Sequence, residues 1–396
     1  MLRIGVEERR ARLARRHRLA PAARAGDVLE ATRSMVCLHA TEPVTVYLSA
    51  WARVDGFAMA DMERALYEDR TLVKHLAMRR TLFAFPRETL PFAQAGASER
   101  VAVAERPRLI RDVEAAGLHS DGSRWLDDAS AAVLEILSDG REATMAQLRK
   151  EIPLLEGSIE FGVGKRWGGR AAVAPRVLTV LSTSGRILRA RNDGSWSTSR
   201  PRWSTTEAWI GEPLQPLSDA AGTAELVRQW LRAFGPGTEA DLKWWLGSTL
   251  TAVRRALAEV GAIEVDLDGR TGHLLPDDLE TTDPVEPWAA LLPALDPTTM
   301  GWIDRSWYLG PYKSQLFDTA GNAGPTVWWD GRIVGGWRQG EDGEVVLQLL
   351  EDVGSDARRA LDDEAARLAA WLGGTRVLMR YPAPLFAAAG SGAAAR

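Results

Sequence analysis

The chain has little of what several common kinds of site require. Its 396 residues include a single cysteine, Cys37, so an internal disulfide and a cysteine-based zinc site are both excluded. The five histidines are scattered without metal-ligand spacing, and no P-loop or dinucleotide-binding fingerprint occurs. These absences predict a protein that works without a metal ion or other cofactor.

Long apolar runs are also missing. Residues 1–20 are rich in arginine but lack the apolar core of a signal peptide, and no run reaches the length of a membrane span. Together with the lone cysteine, this predicts a cytoplasmic protein that does not enter a membrane. The absence of a coiled-coil pattern or a symmetric apolar helix favours a monomer.

The net charge is small, −4, which argues against a uniformly basic nucleic-acid binder. The charges are unevenly distributed, however, with a local balance of +5 over residues 1–20 and +6 over residues 160–210. Acidic residues concentrate elsewhere, as in residues 277–286 and 341–344. A nearly neutral protein with one basic face is compatible with binding DNA or RNA.

A pattern of helices followed by a β-hairpin recurs along the chain, and this is the outline of a winged helix. In the first copy, Asp27 and Glu30 form a capping-box-like start to a helix that is expected to run through Leu38. Pro43 is expected to prevent that helix from continuing. The wing of this copy is a predicted hairpin over residues 72–86.

The second and third copies carry clearer hairpin signals. The second has a helix capped by Thr144 and two strand-like runs that meet at Asp193-Gly194. The third has a helix beginning at Thr238 and a hairpin that turns at Asp268-Gly269. Beyond residue 285, strands joined by glycine turns precede one helix and a last predicted strand over residues 376–382.

The predicted fold class is therefore α+β, with three tandem winged-helix domains followed by a β-rich, barrel-like C-terminal domain. The predicted boundaries place the winged helices at residues 1–120, 121–212 and 213–284, and the C-terminal domain at residues 285–396. The wing of the second domain is the most basic of the three.

The segment MVCLHATEP, residues 35–43, contains the best candidates for chemistry. A neutral imidazole at His39 can deprotonate or orient a water near pH 7, and the Thr41 hydroxyl can hold the same water. Glu42 can supply negative charge beside a developing cation. The alternative is structural, with His39 buried and hydrogen-bonded and Thr41 capping the helix end.

Two basic regions are candidates for phosphate contact. If Arg79 and Arg80 lie on a strand, they face opposite sides, so one can meet phosphate while the other pairs with Glu63 or Asp69. The alternative is that both form structural salt bridges. The second region spans residues 164–202, where charge density predicts backbone contact and Trp196 could stack on a base, the alternative being a solvated basic face. Its candidate residues are Lys165, Arg166, Trp167, Arg170, Arg189, Arg191 and Trp196.

Several motifs resemble the AlkZ-like and YcaQ-like winged-helix DNA glycosylases. They are LHATEP, DMERALYEDRTLVKHLAMRRTLFAF, GPGTEADLKWWLG and LLPALDPTTMGWIDRSW, and the likeness extends over about residues 5–385. The family's catalytic motif has a glutamine, an apolar residue, and then a glutamine or an acid. These positions fall on His39, Ala40 and Thr41, so this chain departs from the family at both polar positions. Arg79 matches the arginine of the family's Met-Arg-Gly-Thr hairpin.

The resemblance implies a monofunctional DNA glycosylase that acts on double-stranded DNA carrying bulky N7-alkylated purines. Members of the family hydrolyse N-glycosidic bonds, including those of interstrand crosslinks, and some protect the bacteria that make genotoxins. Two alternatives remain open at this point. One is a winged-helix protein that binds DNA without cutting it, in regulation or lesion sensing, and the other is an interaction protein whose hairpins bind protein.

Overall fold

A computed structural model describes residues 1–161 and 168–387, which form a mixed α+β structure with several antiparallel sheets. Over these residues the helices, in chain order, are α1 (Val6–Arg16), α2 (Val28–Arg33), α3 (Pro43–Trp51), α4 (Met59–Glu63), α5 (Leu90–Ala93), α6 (Glu99–Ala115), α7 (Gly122–Ile136), α8 (Met145–Glu151), α9 (Ala174–Thr183), α10 (Thr206–Ile210), α11 (Asp219–Phe234), α12 (Glu239–Leu246), α13 (Leu250–Glu259), α14 (Ser306–Leu309), α15 (Lys313–Leu316) and α16 (Ser355–Leu372). None of the helices within these ranges is both long and apolar enough to cross a lipid bilayer.

The strands of the same residues are, in chain order, β1 (Leu2–Arg3), β2 (Leu38–His39), β3 (Leu72–Leu76), β4 (Leu82–Pro86), β5 (Ala143–Thr144), β6 (Ser158–Phe161), β7 (Gly169–Ala172), β8 (Ile187–Asn192), β9 (Pro201–Thr205), β10 (Ile263–Asp266), β11 (Thr271–Leu274), β12 (Ala289–Leu292), β13 (Thr326–Trp329), β14 (Arg332–Gln339) and β15 (Val345–Leu349). The chain forms two compact units. Unit 1 comprises Met1–Ala65 with Ala224–Arg396, and unit 2 comprises Leu66–Thr223. The number and boundaries of winged-helix domains stay a prediction.

Unit 2 contains the hairpins that were predicted as the wings of the first two copies. Strands β3 and β4 pair antiparallel over residues 72–86, and β8 pairs antiparallel with β9, so both predicted hairpins are present. The two hairpins also join each other, because β3 pairs antiparallel with β8 with Lys74 opposite Arg189. The strands therefore follow the order β4-β3-β8-β9-β5 within one sheet, an arrangement that no local sequence signal indicated.

Helices α6, α7 and α9 pack together to form the core of unit 2. Leu109 and Val113 on α6 meet Leu126 and Val133 on α7, and Val177 on α9 completes the contact, all with 1% or less of their surface exposed. These positions recur at the three- and four-residue spacing of an amphipathic helix. Helix α8 begins at the predicted cap, where the Thr144 hydroxyl accepts a hydrogen bond from the Gln147 amide.

One turn of unit 2 differs from the sequence expectation. Strands β6 and β7 pair antiparallel, and residues 162–167 between them are not described. Lys165, Arg166 and Trp167 therefore lie outside the described residues. The predicted tight turn at Asp193-Gly194 is wrong, because β8 ends at Asn192 and β9 begins only at Pro201.

Unit 1 contains the third helix-and-hairpin pattern as predicted. Thr238 and Asp241 form a capping box at the start of α12, with the Thr238 hydroxyl accepting from the Asp241 amide. Strands β10 and β11 pair antiparallel, and Asp268 and Gly269 both have positive φ values (50° and 87°) at the turn. This is the conformation that an Asp-Gly hairpin favours. Strand β1 adds to β10 in parallel, a pairing that the sequence did not indicate.

Two predictions for the C-terminal part of unit 1, a barrel and a last strand over residues 376–382, are wrong. Strands β12, β13, β14 and β15 form an open antiparallel sheet in that order, so the described residues do not close a barrel. Residues 376–382 form no strand. Two of the backbone amides in this segment bind side chains from distant parts of the chain instead of a neighbouring strand. The Gln339 Oε1 atom accepts a hydrogen bond from the Val377 amide, and the Glu42 Oε1 atom accepts one from the Arg380 amide.

A buried histidine in unit 2 makes a pH-dependent contribution to stability. His75 is 1% exposed, and its Nε2 atom lies 2.9 Å from the Gln94 Oε1 atom. Burial lowers the pKa of His75 from its ordinary 6.5 to about 4, an effect that the hydrogen bond to Gln94 only partly opposes. Between about pH 6.5 and pH 4, His75 is therefore protonated in the unfolded chain but neutral in the folded chain.

We expect the contribution of His75 to be fully present above pH 6.5 and to be lost as the pH falls towards 4. The loss should be on the order of 3 kcal/mol, since each pKa unit corresponds to about 1.4 kcal/mol. Urea unfolding at pH 7 and pH 4, for the wild type and His75→Gln, measures it. The variant should lose less stability than the wild type across this range. Equal losses in the two proteins would contradict the assignment.

Candidate active site and nucleic-acid interface

The MVCLHATEP segment has a different backbone from the one predicted. Helix α2 begins as expected after Asp27, whose carboxylate accepts from the Glu30 amide, but it ends at Arg33 rather than at Leu38. Val36 has a φ of 63°, which a continuing helix does not permit, and Leu38 and His39 form strand β2. The buried apolar run before His39 is too short for its periodicity to distinguish helix from strand.

Burial alternates along residues 38–42. Leu38, Ala40 and Glu42 are buried, whereas His39 and Thr41 each keep part of their surface exposed. This period of two is that of an extended chain, in which alternate side chains point to the same side. His39 and Thr41 therefore lie on the same, partly exposed side of the segment.

Glu42 is the buried member of the candidate site, with 2% of its surface exposed. Its Oε1 atom accepts a hydrogen bond from the Arg380 amide, whereas its Oε2 atom has no hydrogen-bond partner among the described residues. Burial raises the pKa of Glu42, and the Arg380 amide and the charge of Arg380 oppose this shift. One carboxylate oxygen is thus held in place, and the other is buried without a hydrogen-bond partner among the described residues.

Helix α3 begins directly after Glu42. Pro43 occupies its first position, where a missing amide hydrogen costs nothing, so the proline starts a helix rather than stopping one as predicted. Glu42 has extended backbone angles (φ −101°, ψ 118°) and no side-chain bond to the helix amides. Its negative charge lies at the positive end of the α3 dipole, which favours the ionised form.

Arg79 and Arg80 do not lie on a strand, which corrects the expected arrangement. They belong to the 3₁₀ turn Met78–Arg80 at the tip of the β3–β4 hairpin, and both have positive φ values (55° and 59°). Both side chains are exposed, and Arg80 forms an ion pair of 3.1 Å with Glu105. The expected partner Glu63 instead accepts a hydrogen bond from the Tyr47 hydroxyl.

The remaining described basic candidates differ in exposure. Arg170 is exposed on β7 and donates a hydrogen bond to the Ser158 hydroxyl. Arg191 is exposed on β8, with its guanidinium carbon 5.2 Å from the centroid of the Tyr67 ring. Trp196 lies partly exposed in the loop between β8 and β9.

Arg189 stands apart from these residues. Its side chain is only partly exposed, and the guanidinium carbon lies 5.5 Å from the centroid of the Trp203 ring. Burial lowers the pKa of Arg189 to about 10. Lys74 lies directly opposite on β3, is 8% exposed, and donates a 2.6 Å hydrogen bond to the Tyr67 hydroxyl. No local sequence signal indicated Lys74 or Tyr67, because the β3–β8 pairing is what brings Lys74 beside Arg189.

The predicted catalytic residues belong to unit 1, and the predicted DNA-binding residues belong to unit 2. That the two groups serve one substrate stays a prediction. Within residues 1–161 and 168–387, no three histidine, cysteine, aspartate or glutamate side chains are grouped as metal ligands. Cys37 is buried, and burial raises the pKa of its thiol well above the ordinary value.

Comparison with known proteins identifies the family. Residues 32–371 match the family model described as "DNA glycosylase AlkZ-like". The chain is 27% identical over 331 residues to an interstrand DNA cross-link repair glycosylase of Streptomyces sahachiroi, covering 79% of this chain and 82% of that protein. The solved structure of the Streptomyces sahachiroi DNA glycosylase AlkZ superposes with a TM-score of 0.74 at 21% identity, covering 96% of this chain and all of that one. Because the family model covers most of its length, the chain belongs to the AlkZ-like DNA glycosylase family.

Proposed function

We propose that this protein is a monofunctional DNA repair glycosylase that hydrolyses the N-glycosidic bond of bulky N7-alkylated purines in duplex DNA. Membership of the AlkZ-like family over residues 32–371 is the observation that carries the proposal. The relative from Streptomyces sahachiroi, whose name describes repair of interstrand cross-links, supports a large lesion as the substrate.

The proposed chemistry needs little from the protein. Alkylation at N7 makes the purine a cation, so the glycosidic electron pair leaves with the base and neutralises it. A sugar cation remains, and a water molecule must add to its C1′ atom and lose a proton. An enzyme can accelerate this step by placing the water, accepting the proton and surrounding the sugar with negative charge.

Three residues are proposed for these roles. His39 takes the proton of the attacking water, and Thr41, on the same side of the segment, accepts or donates the water's second hydrogen bond. Glu42 supplies negative charge through the carboxylate oxygen that has no described partner. These assignments use the two partly exposed side chains and the one buried acid of residues 38–42.

The DNA contacts are proposed for the basic residues of unit 2. Arg79 and Arg80 lie exposed at a hairpin tip, and Arg170 and Arg191 are exposed on strands, so all four can reach phosphate. Trp196, in the loop of the β8–β9 hairpin, is proposed to stack against a base. Lys165, Arg166 and Trp167 are proposed to add to this surface.

The test is a base-release assay on matched duplexes. The substrates are an N7-alkylguanine carrying a bulky group, an interstrand cross-link, an N3-methyladenine and an unmodified control, with the freed base detected by mass spectrometry. We expect release from the first two and none from the unmodified duplex. Salt-dependent DNA binding without release from any substrate would favour a non-catalytic lesion-binding protein, an outcome that the departure from glutamine at His39 and Thr41 makes worth testing.

Replacing Glu42 with glutamine tests its proposed role separately. Glutamine keeps the shape and the acceptor for the Arg380 amide but removes the charge, so base release should fall by about 100-fold, at the lower end of acid–base effects. Because burial raises the pKa of Glu42, wild-type activity should decline on the acidic side at a higher pH than an ordinary glutamate would cause. The variant should lose the part of the acidic decline that is due to Glu42 and keep the part that is due to His39, and an unchanged pH profile would contradict the role.

A further inference from the structure

Unit 2 contains a cavity that the proposed glycosylase chemistry does not use. Its volume is about 440 Å³, and it lies beside strands β8 and β9 and helices α8 and α9. Apolar side chains make up much of its wall, namely Leu76, Met145, Pro175, Leu178, Pro201 and Trp203. A volume of this size and a largely apolar wall are typical of sites for small organic molecules.

Most polar groups of the wall already have partners within the chain. The Thr144 hydroxyl caps α8 through the Gln147 amide, and the Thr179 hydroxyl donates a 2.7 Å hydrogen bond to the Pro175 carbonyl. Asp193 forms a 2.7 Å ion pair with Arg202. None of these three groups needs a ligand.

Arg189 differs from these three groups of the wall. Within the described residues, no acid or other acceptor lies within hydrogen-bonding distance of its guanidinium, and its Nε atom is buried without a partner. Its described polar contact is with the face of Trp203. Holding a partly buried cation without an anion is unfavourable, so a negative group at this position would be stabilising.

The strand register increases this cost. Lys74 lies directly opposite Arg189 on β3, and like charges directly opposite one another on a sheet destabilise it. Arg191 adds a third cation, whose guanidinium lies over the same Tyr67 ring that Lys74 contacts. Glu142, which precedes β5, accepts a hydrogen bond from the backbone amide of Arg191. Arg189 therefore places positive charge at the wall of a largely apolar cavity.

We propose that this cavity binds a small organic monoanion, an aryl-alkyl carboxylate in chemical class, with its carboxylate on Arg189 and its apolar body against Leu178 and Trp203. The planar edge of a guanidinium matches a carboxylate with two parallel hydrogen bonds. Inorganic phosphate would leave the apolar wall uncovered.

Calorimetric titration of the full chain tests the site, with 4-phenylbutyrate as the probe and 4-phenylbutanol as its neutral match. We expect the carboxylate to bind at least about tenfold more tightly than the alcohol, the scale of a charge-assisted hydrogen bond. Arg189→Met should weaken carboxylate binding by the same factor, whereas the matched control Arg191→Met should not. Met145→Trp, at the exposed edge of the cavity, should block the probe by filling space.

Three outcomes would overturn the proposal. They are equal binding of the acid and the alcohol, equal binding by the wild type and Arg189→Met, and displacement of the probe by inorganic phosphate or an unmodified duplex at comparable concentration. Displacement by duplex would assign Arg189 to the DNA-binding surface instead. Because the titration contains no DNA lesion, its result is independent of whether the protein releases alkylated bases.

Discussion

Replacing His39 with alanine is expected to lower the rate of base release from an N7-alkylguanine duplex by about 10²- to 10⁴-fold, the usual range for losing a general base. Affinity for the same duplex should stay nearly unchanged, because the phosphate contacts are proposed for other residues and dominate binding. His39 is only partly buried, so its truncation should cost little stability. The effect should therefore appear in the rate of the chemical step and not in binding.

Single-turnover base release and fluorescence anisotropy, measured on one lesion-containing duplex, separate these two quantities. His39→Gln is the matched control, since it places at this position the glutamine that the family resemblance assigns to it. Glutamine can orient a water but cannot accept its proton at neutral pH, so the control should retain part of the activity and lose the dependence on imidazole ionisation. Unchanged release by His39→Ala would exclude His39 from the reaction.

Local signals in the sequence were sufficient for many of the elements. The capping boxes at Thr144 and Thr238 and the turn at Asp268-Gly269 place hydrogen-bond partners within three residues of each other, so the sequence itself contains both halves of the interaction. The hairpin over residues 72–86 was also predicted correctly, because both of its strands lie in one short stretch of sequence. Each of these features is decided before any distant part of the chain packs against it.

The failures occurred where distant residues decide the structure. The predicted strand over residues 376–382 is absent because Gln339 and Glu42 bind its backbone, and both lie far away in sequence. A proline can mark either the end of one helix or the first turn of the next. Pro43 lies in the first turn of α3 and does not end α2. The pairing of Lys74 with Arg189 joins two hairpins more than 100 residues apart, so no window of sequence contains it.

The candidate site shows the same division. His39 and Thr41 were found from residue type and spacing, and their common side follows from an extended backbone that the sequence did not predict. Glu42 was proposed only because it adjoins them. Its burial, its raised pKa and its bond to the Arg380 amide became visible when residues 338 positions apart were brought together. The chemical type of each candidate residue could be predicted from the sequence, whereas the electrostatic environment of its side chain could not.

Removing one member of the buried Arg53–Asp296 ion pair is expected to destabilise unit 1 strongly. Both side chains are fully buried, and they form two hydrogen bonds of 2.7 and 2.9 Å. Ser49 and Thr298 bind the same carboxylate, at 2.7 and 2.9 Å, so each of its oxygens has two partners. Arg53→Met would leave a fully buried carboxylate without its cation, which costs about 3–5 kcal/mol.

Urea unfolding followed by circular dichroism measures this loss, and the double variant Arg53→Met with Asp296→Leu is its control. The double variant removes both charges and should recover much of the stability, because uncompensated charge rather than lost contact dominates the cost. Asp296 begins the DPTTMGW run, one of the segments by which the chain resembles its family, and its contacts assign it to the interior of unit 1. Base release by Arg53→Met should therefore fall in proportion to the unfolded fraction and return on cooling, whereas the loss in His39→Ala should persist at every temperature at which the protein is folded.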